Sequence, residues 1–260
     1  MDRSSTNGVA IEFRDVSYVS PTGQEVLSGL NLEVLRGETF VLLGRSGSGK
    51  TTTLKLVNRL LSPSAGEVRV DGAATAGVDV IALRRSIGYV IQDVGLFPHF
   101  TVERNIGLVP RIEGWAEDRI RERVQELLQL VGLEPRLASR YPRQLSGGQR
   151  QRVGVARALA ADPALLLMDE PFGSLDPLTR DELQREFLLL QQRLHKTVVF
   201  VTHDVGEALR LGSRVALMEA GRLVTVLAPQ EFLRSGDPWV VAYMKAFKAG
   251  LDSAANRGTE

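Results

Sequence analysis

The chain has no cysteine among its 260 residues, which excludes disulfides and thiolate chemistry and fits a reducing compartment. It has no apolar run approaching the roughly 18 residues that a membrane-spanning helix needs, so any membrane role has to come through a partner. Neither sign of charge is in excess. The 32 Lys and Arg stand against 31 Asp and Glu, a net charge of +1, which argues against nucleic acid or an anionic bilayer surface as partner. Met1 to Gly8 is polar and lacks the apolar stretch of a secretion signal. There is no internal repeat and no low-complexity segment. With 43% hydrophobic and 24% charged residues, the composition fits a soluble, cytosolic chain with a sizeable core.

What is present begins with Gly44-Arg45-Ser46-Gly47-Ser48-Gly49-Lys50-Thr51, which fits G-x-x-x-x-G-K-[ST] at every fixed position. The apolar run Thr39 to Leu43 before it reads as a buried strand, and Thr52 to Leu61 after it reads as a helix. Small residues let the backbone fold tightly so that successive N–H groups point inward at a phosphate. The helix, opened by Thr52, aims its dipole at the same anion. Lys50 supplies a point charge for the β- and γ-phosphates, and Thr51 a hydroxyl ligand for Mg²⁺.

Strand spacing appears in Val9 to Val16 and Leu30 to Val34, with Pro21-Thr22-Gly23 as a turn between them. Further strands are predicted at Glu67 to Val70, Ile87 to Ile91, Ala164 to Met168, Thr197 to Val201 and Arg214 to Glu219. From Thr101 to about Ala161 the pattern is helical. There Ile120, Val124, Leu127, Leu128 and Val131 form one apolar stripe, and Arg119, Glu122 and Arg123 fill a solvated face. A helix from Pro177 to Leu194 starts with Asp176 as N-cap and proline at the first helical position. Alternating β and α units imply a mostly parallel sheet with helices on both faces, interrupted by a helical insert. Asp252 to Glu260 is small and polar, as expected of a frayed end.

Two further constellations carry chemistry. Ala164 to Met168 is an apolar strand that delivers Asp169 and Glu170 to its mouth. Asp169 suits a water-mediated Mg²⁺ contact, and Glu170 the place of a general base. Leu145-Ser146-Gly147-Gly148-Gln149 reads locally as an S-x-x-Q capping box, with two glycines exposing N–H groups at the positive end of a helix. Asp204 with Glu207 reads as another helix start.

From about Val9 to Phe247 the sequence resembles the ATP-binding subunit of ABC transporters. In that likeness Gly44 to Thr51 is the Walker A loop and Leu165 to Asp169 the Walker B strand. Gln92 is the Q-loop glutamine, which meets Mg²⁺ and faces the membrane subunits, and Leu145 to Gln149 is the family signature. Glu170 matches the catalytic glutamate, Ser174-Leu175-Asp176 the D-loop and His203 the switch histidine. The resemblance implies an α/β fold: a RecA-like P-loop NTPase core with a mostly parallel sheet, an N-terminal antiparallel β portion and an α-helical subdomain inserted at about 93–160. Residues 9–247 would form one nucleotide-binding domain, followed by a polar tail at 248–260. It implies ATP and Mg²⁺ as ligands and an ATP-dependent head-to-tail dimer. Membrane permease subunits are the implied partners, and the implied place is the inner face of the cell membrane. One position departs from the pattern: Ser20 stands where the family usually stacks adenine on an aromatic residue. Either Tyr18, on the same strand face, takes over, or adenine is held mainly through the phosphates.

Ile87 to Val102, with Asn105-Ile106 and Leu108-Val109-Pro110, is similar to the ATPases of glycine betaine, carnitine and choline uptake systems, and Pro171 to Arg180 points the same way. That subclass works with two membrane subunits and an external binding protein. Many members carry paired CBS modules after the ATPase, and this chain stops soon after Phe247 without them. Leu96-Phe97-Pro98-His99-Phe100 reads either as a packed loop or as a groove for a membrane subunit's cytoplasmic helix. An exporter ATPase or a soluble ABC ATPase acting on ribosomes or DNA are the rival classes. The second usually needs fused domains or a long coiled coil, and neither is present.

Overall fold

The computed structural model describes residues 8–92 and 94–256, with side chains as far as Phe247. Asp93, Met1–Asn7 with most of the polar N-terminal segment, and 257–260 lie outside the described residues. Strands β1 (Val9–Val19) and β2 (Glu25–Leu35) form an antiparallel hairpin over the expected Pro21-Thr22-Gly23 turn, where Gly23 takes φ 82°. Then come β3 (Thr39–Gly44), α1 (Lys50–Val57), β4 (Ala65–Val70), β5 (Ala73–Ala74), α2 (Val80–Ser86) and β6 (Ile87–Val90). Helix α1 stops short of Leu61, since Arg59 enters the left-handed region at φ 53° and the Arg84 guanidinium caps the carbonyls of Asn58 and Arg59 at 3.2 and 2.6 Å.

The expected helical insert follows: α3 (Val102–Ile106), α4 (Leu108–Ile112), α5 (Glu117–Leu130) and α6 (Gly147–Leu159). All five residues of the α5 stripe are buried, four of them within 1% of complete burial. Arg119 and Glu122 are exposed as expected, but Arg123 turns inward to donate to the carbonyls of Leu159 and Ala160, where α6 ends. The chain then runs through β7 (Leu165–Asp169), α7 (Pro177–Leu194), β8 (Thr197–Thr202), α8 (Val205–Leu211), β9 (Arg214–Glu219) and β10 (Arg222–Leu227). It ends in α9 (Pro229–Arg234) and α10 (Pro238–Asn256). Instead of the frayed polar tail expected after Gly250, α10 continues through Asn256. The segment is rich in alanine and other good helix formers, which outweighs its polarity.

The strands form two sheets, one of four in the order β2-β1-β4-β5 and one of six in the order β10-β9-β3-β8-β7-β6. In the larger sheet every pairing is parallel except β9 with β10. Every residue of β3, β7 and β8 is buried, the signature of central parallel strands covered on two sides. Side chains alternate between the two covers. Val41, Leu43, Phe200 and Leu217 face helices α3 and α5–α9. Phe40, Leu42, Val199 and Val201 face Leu54 and Val57 of α1, together with Ile11, Phe13, Leu30 and Leu32 of the smaller sheet. Helices thus lie on both faces as expected, and on the second face α1 and Leu83 of α2 share their place with the expected antiparallel sheet. The cause is the period-two apolar stripe of β1 and β2, which has to be buried against something. Among the described residues no helix is long and apolar enough to cross a membrane.

Candidate nucleotide site

The loop Gly44–Thr51 leaves the carboxyl end of the central strand β3 and enters α1, and glycine is demanded at its turns by space and backbone angle. A β-carbon on Gly44 would lie 2.4 Å from the Met218 carbonyl oxygen. Gly49 has φ 98°, and a β-carbon there would come within 2.5 Å of Leu27 Cδ2. Gly49→Ala should accordingly cost about 1–3 kcal/mol of stability, read as a lower urea midpoint at unchanged slope. Gly47, at φ 81°, faces open space on the outer side of the loop. Arg45 and Ser46 are exposed, whereas Ser48 is buried and its hydroxyl has no hydrogen-bond partner among the described residues. Thr52 lies half-buried in the first turn of α1.

Lys50 is 5% exposed, and its ammonium donates to the carbonyls of Gly44 and Arg45, both at 2.8 Å. Burial pushes its pKa down, against the raising effect of Glu170 and Asp169. The Thr51 hydroxyl donates to Asp169 Oδ1 at 2.9 Å across to the end of β7. Burial pushes the Asp169 carboxyl up, partly countered by that hydrogen bond and by Lys55. Glu170 follows in the left-handed region at φ 43°, unusual for a residue with a β-carbon. Its N–H donates to the Val201 carbonyl at 3.0 Å, which ties the turn to β8. Its Oε2 meets Gln92 Nε2 at 3.4 Å and His203 Nδ1 at 3.2 Å.

Four sequence-distant segments thus converge on one mouth: Lys50–Thr51, Gln92, Asp169–Glu170 and His203. The remaining candidates stand elsewhere. Ser146 caps α6 in a reciprocal box with Gln149, whose N–H reaches Ser146 Oγ at 3.2 Å while its side chain accepts from Ser146 N–H at 2.9 Å. Gly147 and Gly148 pack beside Leu175 and Thr179 at the start of α7, and Asp176 caps that helix through Thr179 N–H at 3.1 Å. The same Thr179 contact holds the Asp176 carboxyl below its usual range. Among the described residues no hydrogen bond joins Ser146–Gln149 or Asp176 to the Lys50–Glu170–His203 group. Tyr18 packs against the core of the smaller sheet, and Ser20 closes the hairpin, its N–H on the Gln24 carbonyl at 2.8 Å.

Two residues that pattern reading did not single out, Arg157 and Gly154, bear on this geometry, and so does Asn105, which the resemblance had quoted without a role. Arg157 of α6 donates to the carbonyls of Val94 and Gly95, both at 2.7 Å, just beyond Gln92. Gly154, one turn earlier, has no room for a side chain because Val94 Cγ1 fills it, 2.6 Å from where a β-carbon would sit. Asn105, fully buried, holds the Phe97–Thr101 loop through four hydrogen bonds. A small residue within the α6 pattern and an asparagine within an apolar window were the only local signals. Beside the mouth, α10 borders a cleft of about 480 Å³ lined by Arg45, His203, Trp239 and Tyr243.

Comparison with known proteins agrees with this architecture. A family model described as ABC transporter matches residues 27–173. The choline transport ATP-binding protein OpuBA of Bacillus subtilis is 51% identical over 225 residues, covering 86% of this chain and 59% of its own length. The glycine betaine uptake system ATP-binding protein YehX of Escherichia coli is 52% identical over 214 residues, covering 82% of this chain and 69% of its own. The chain thus spans about three-fifths of the length of OpuBA. Among solved structures, the dimeric post-hydrolysis state of the ATP-binding cassette MJ0796 bound to ADP and Pi superposes with a TM-score of 0.76. It is 34% identical and covers 84% of this chain and 98% of that one. With a phosphate-type loop on β3, a carboxylate pair ending β7 and half-identical relatives over most of its length, the chain belongs to the ABC transporter family.

Proposed function

We propose that this chain is the ATP-hydrolysing subunit of an importer for quaternary amines of the glycine betaine, carnitine or choline type. The observation that carries the reading is the position of Glu170, held between Gln92 and His203 and one residue from the Thr51–Asp169 pair. The fit to a triphosphate rests on features of the loop itself. Among the described residues a buried hydroxyl at Ser48 lacks a partner, and a buried ammonium at Lys50 is satisfied by carbonyls of its own loop. Phosphate oxygens would accept from both.

Thr51, Asp169 and Gln92 are oxygen donors, the set that suits a hard divalent cation, and Mg²⁺ is the ion proposed. Among the described residues no cluster of three or more His, Cys, Asp or Glu exists, so the coordination would be completed by phosphate oxygens and water. When bound, Mg²⁺ supplies neutralisation of charge on the phosphate oxygens. The chain's own groups do the rest. Lys50 and the N–H groups at the start of α1 bind the anion. Glu170 orients water and takes its proton, and His203 holds the Glu170 carboxylate in place.

Ser146–Gln149 and Asp176 lie apart from this group, and they are read as the half-site for a nucleotide held by a second copy, paired head to tail. The helix start at Gly147, with its N–H groups exposed by two glycines, is suited to the anion from the other side. ATP then acts as an adhesive, and hydrolysis weakens the contact because the closed dimer loses its differential affinity. The Leu96–Phe100 loop, where Phe97 is exposed and Arg104 stacks 4.1 Å over Phe100, is assigned to the permease subunits at the inner face of the membrane. Adenine is left to weaker contacts than the phosphates, since Tyr18 is engaged in the core and Ser20 in the hairpin.

Isolation of the tagged chain from membranes should bring down two permease subunits, and the complex in proteoliposomes should take up labelled choline or glycine betaine only with ATP inside. Capture of a permease complex that ignores quaternary amines would overturn the substrate. Failure to capture any membrane subunit would overturn the transporter assignment.

A further inference from the structure

Behind His203 lies a polar network that the proposed chemistry does not use. Thr202, Gln184 and Glu207 are 1%, 6% and 6% exposed, three polar side chains in an otherwise apolar layer. The Thr202 hydroxyl donates to Glu207 Oε2 at 2.7 Å, and Gln184 Nε2 donates to Glu207 Oε1 at 3.0 Å. Thr202 Oγ1 in turn accepts from the Asp204 N–H at 3.0 Å, and Asp204 Oδ1 accepts from the Glu207 N–H at 3.1 Å. Gln184 Oε1 accepts from Arg210, which also reaches Asp181 of α7.

A buried carboxylate is costly unless both its oxygens are satisfied, and these are. Capping α8 does not explain it, because Asp204 already does that. Glu207 instead turns back beneath the loop, and each of its oxygens holds a different element, β8 and α7. His203 is the one residue between the two tied positions, 202 and 204. Its side chain is 62% exposed, and among the described residues the ring's hydrogen-bond partner is Glu170. The backbone on either side therefore sets where the ring stands.

We propose that Glu207 is a positioning residue for His203, and that Gln184 extends this hold to α7, the helix that Asp176 caps. The inference rests on the reading of this site as an ATPase in which His203 acts on Glu170. Its wider meaning is that the histidine of one nucleotide site is fastened to the helix start assigned to the site across the dimer.

The test is a pair of exchanges in the full chain. In Glu207→Gln one of the two hydrogen bonds to position 207 is lost, since a single amide oxygen replaces two acceptors. In Gln184→Glu two buried carboxylates face each other. With both changes together the amide of residue 207 donates to the carboxylate of residue 184, its oxygen accepts from Thr202, and the second carboxylate oxygen accepts from Arg210. Each single variant should lower kcat about tenfold with the Kd for ATP unchanged, because a small misplacement of a reacting group costs rate and not ground-state binding. The double variant should recover most of it.

Independently of turnover, the ring signal of His203 in NMR, one of three histidines, should move in both single variants and return in the double. Thr202→Val, close in shape, should reproduce the loss if the carboxylate variants fold poorly. A His203 signal at its wild-type position in the single variants and in Thr202→Val would overturn the proposal. Singles that shift the signal without recovery in the double would remove Gln184 from it. A wild-type chain that hydrolyses nothing would overturn the ATPase reading instead, and the ring signal would still decide this one.

Discussion

Glu170→Gln should abolish turnover while leaving ATP binding intact, and should cause a dimer to accumulate. The carboxylate stands between Gln92 and His203, placed to accept a proton from water, and replacing it by an amide preserves its size and both contacts. Loss of a positioned base typically costs about 10²–10⁴ in rate. With the shared nucleotide no longer cleaved, two chains should remain paired in light scattering at saturating Mg²⁺ and ATP and separate when nucleotide is removed. A variant that hydrolyses at the wild-type rate would take the base role away from Glu170. A variant that binds ATP, fails to hydrolyse it and stays monomeric, even with its membrane subunits, would refute the proposed pairing.

Lys50→Ala is the second large effect, and it acts at binding. The ammonium of Lys50 is buried and already donates to two carbonyls of its loop, so nucleotide binding exchanges one set of acceptors for a more highly charged one. Charge-assisted hydrogen bonds of this kind are worth about 1.5–3 kcal/mol, so the Kd for ATP should rise by about 10- to 100-fold in filter binding. Rate should fall with it. Unchanged affinity would mean that the Gly44–Thr51 amides hold the anion alone.

Much of this was legible in the sequence, for definite reasons. The G-x-x-x-x-G-K-[ST] loop is constrained residue by residue, and Asp176-Pro177 set the start of α7 at the residue where it begins. The α5 stripe is period 3.6 and its burial followed. What pattern reading passed over was either short, at an edge, or long-range. The hairpin of β9 and β10 turns on Ala220 and Gly221 at φ 45° and 78°, and alanine in the first of these positions hides the asparagine or aspartate that normally marks such a turn. Helix α2 is seven residues of mostly apolar sequence, too short for periodicity to separate it from a strand. Arg157 and Glu207 sit on helices where charged residues usually face water, and the pattern shows Glu207 only as the partner of Asp204 in a helix start, not as a buried carboxylate. Their partners lie 62 and 63 residues away for Arg157, and 23 and 5 for Glu207. Only the fold brings them in.

The clamp of Arg157 on Val94 and Gly95, with the methyl of Val94 seated against Gly154, has a mechanical sequel. Sliding the loop after Gln92 along α6 would forfeit two charge-assisted hydrogen bonds and a close-packed contact, several kilocalories per mole in all. Loop and helix therefore travel as one strut. On this geometry a push at Phe97 to Phe100 would reach the far end of that strut, at Ser146, as displacement rather than being absorbed as bending.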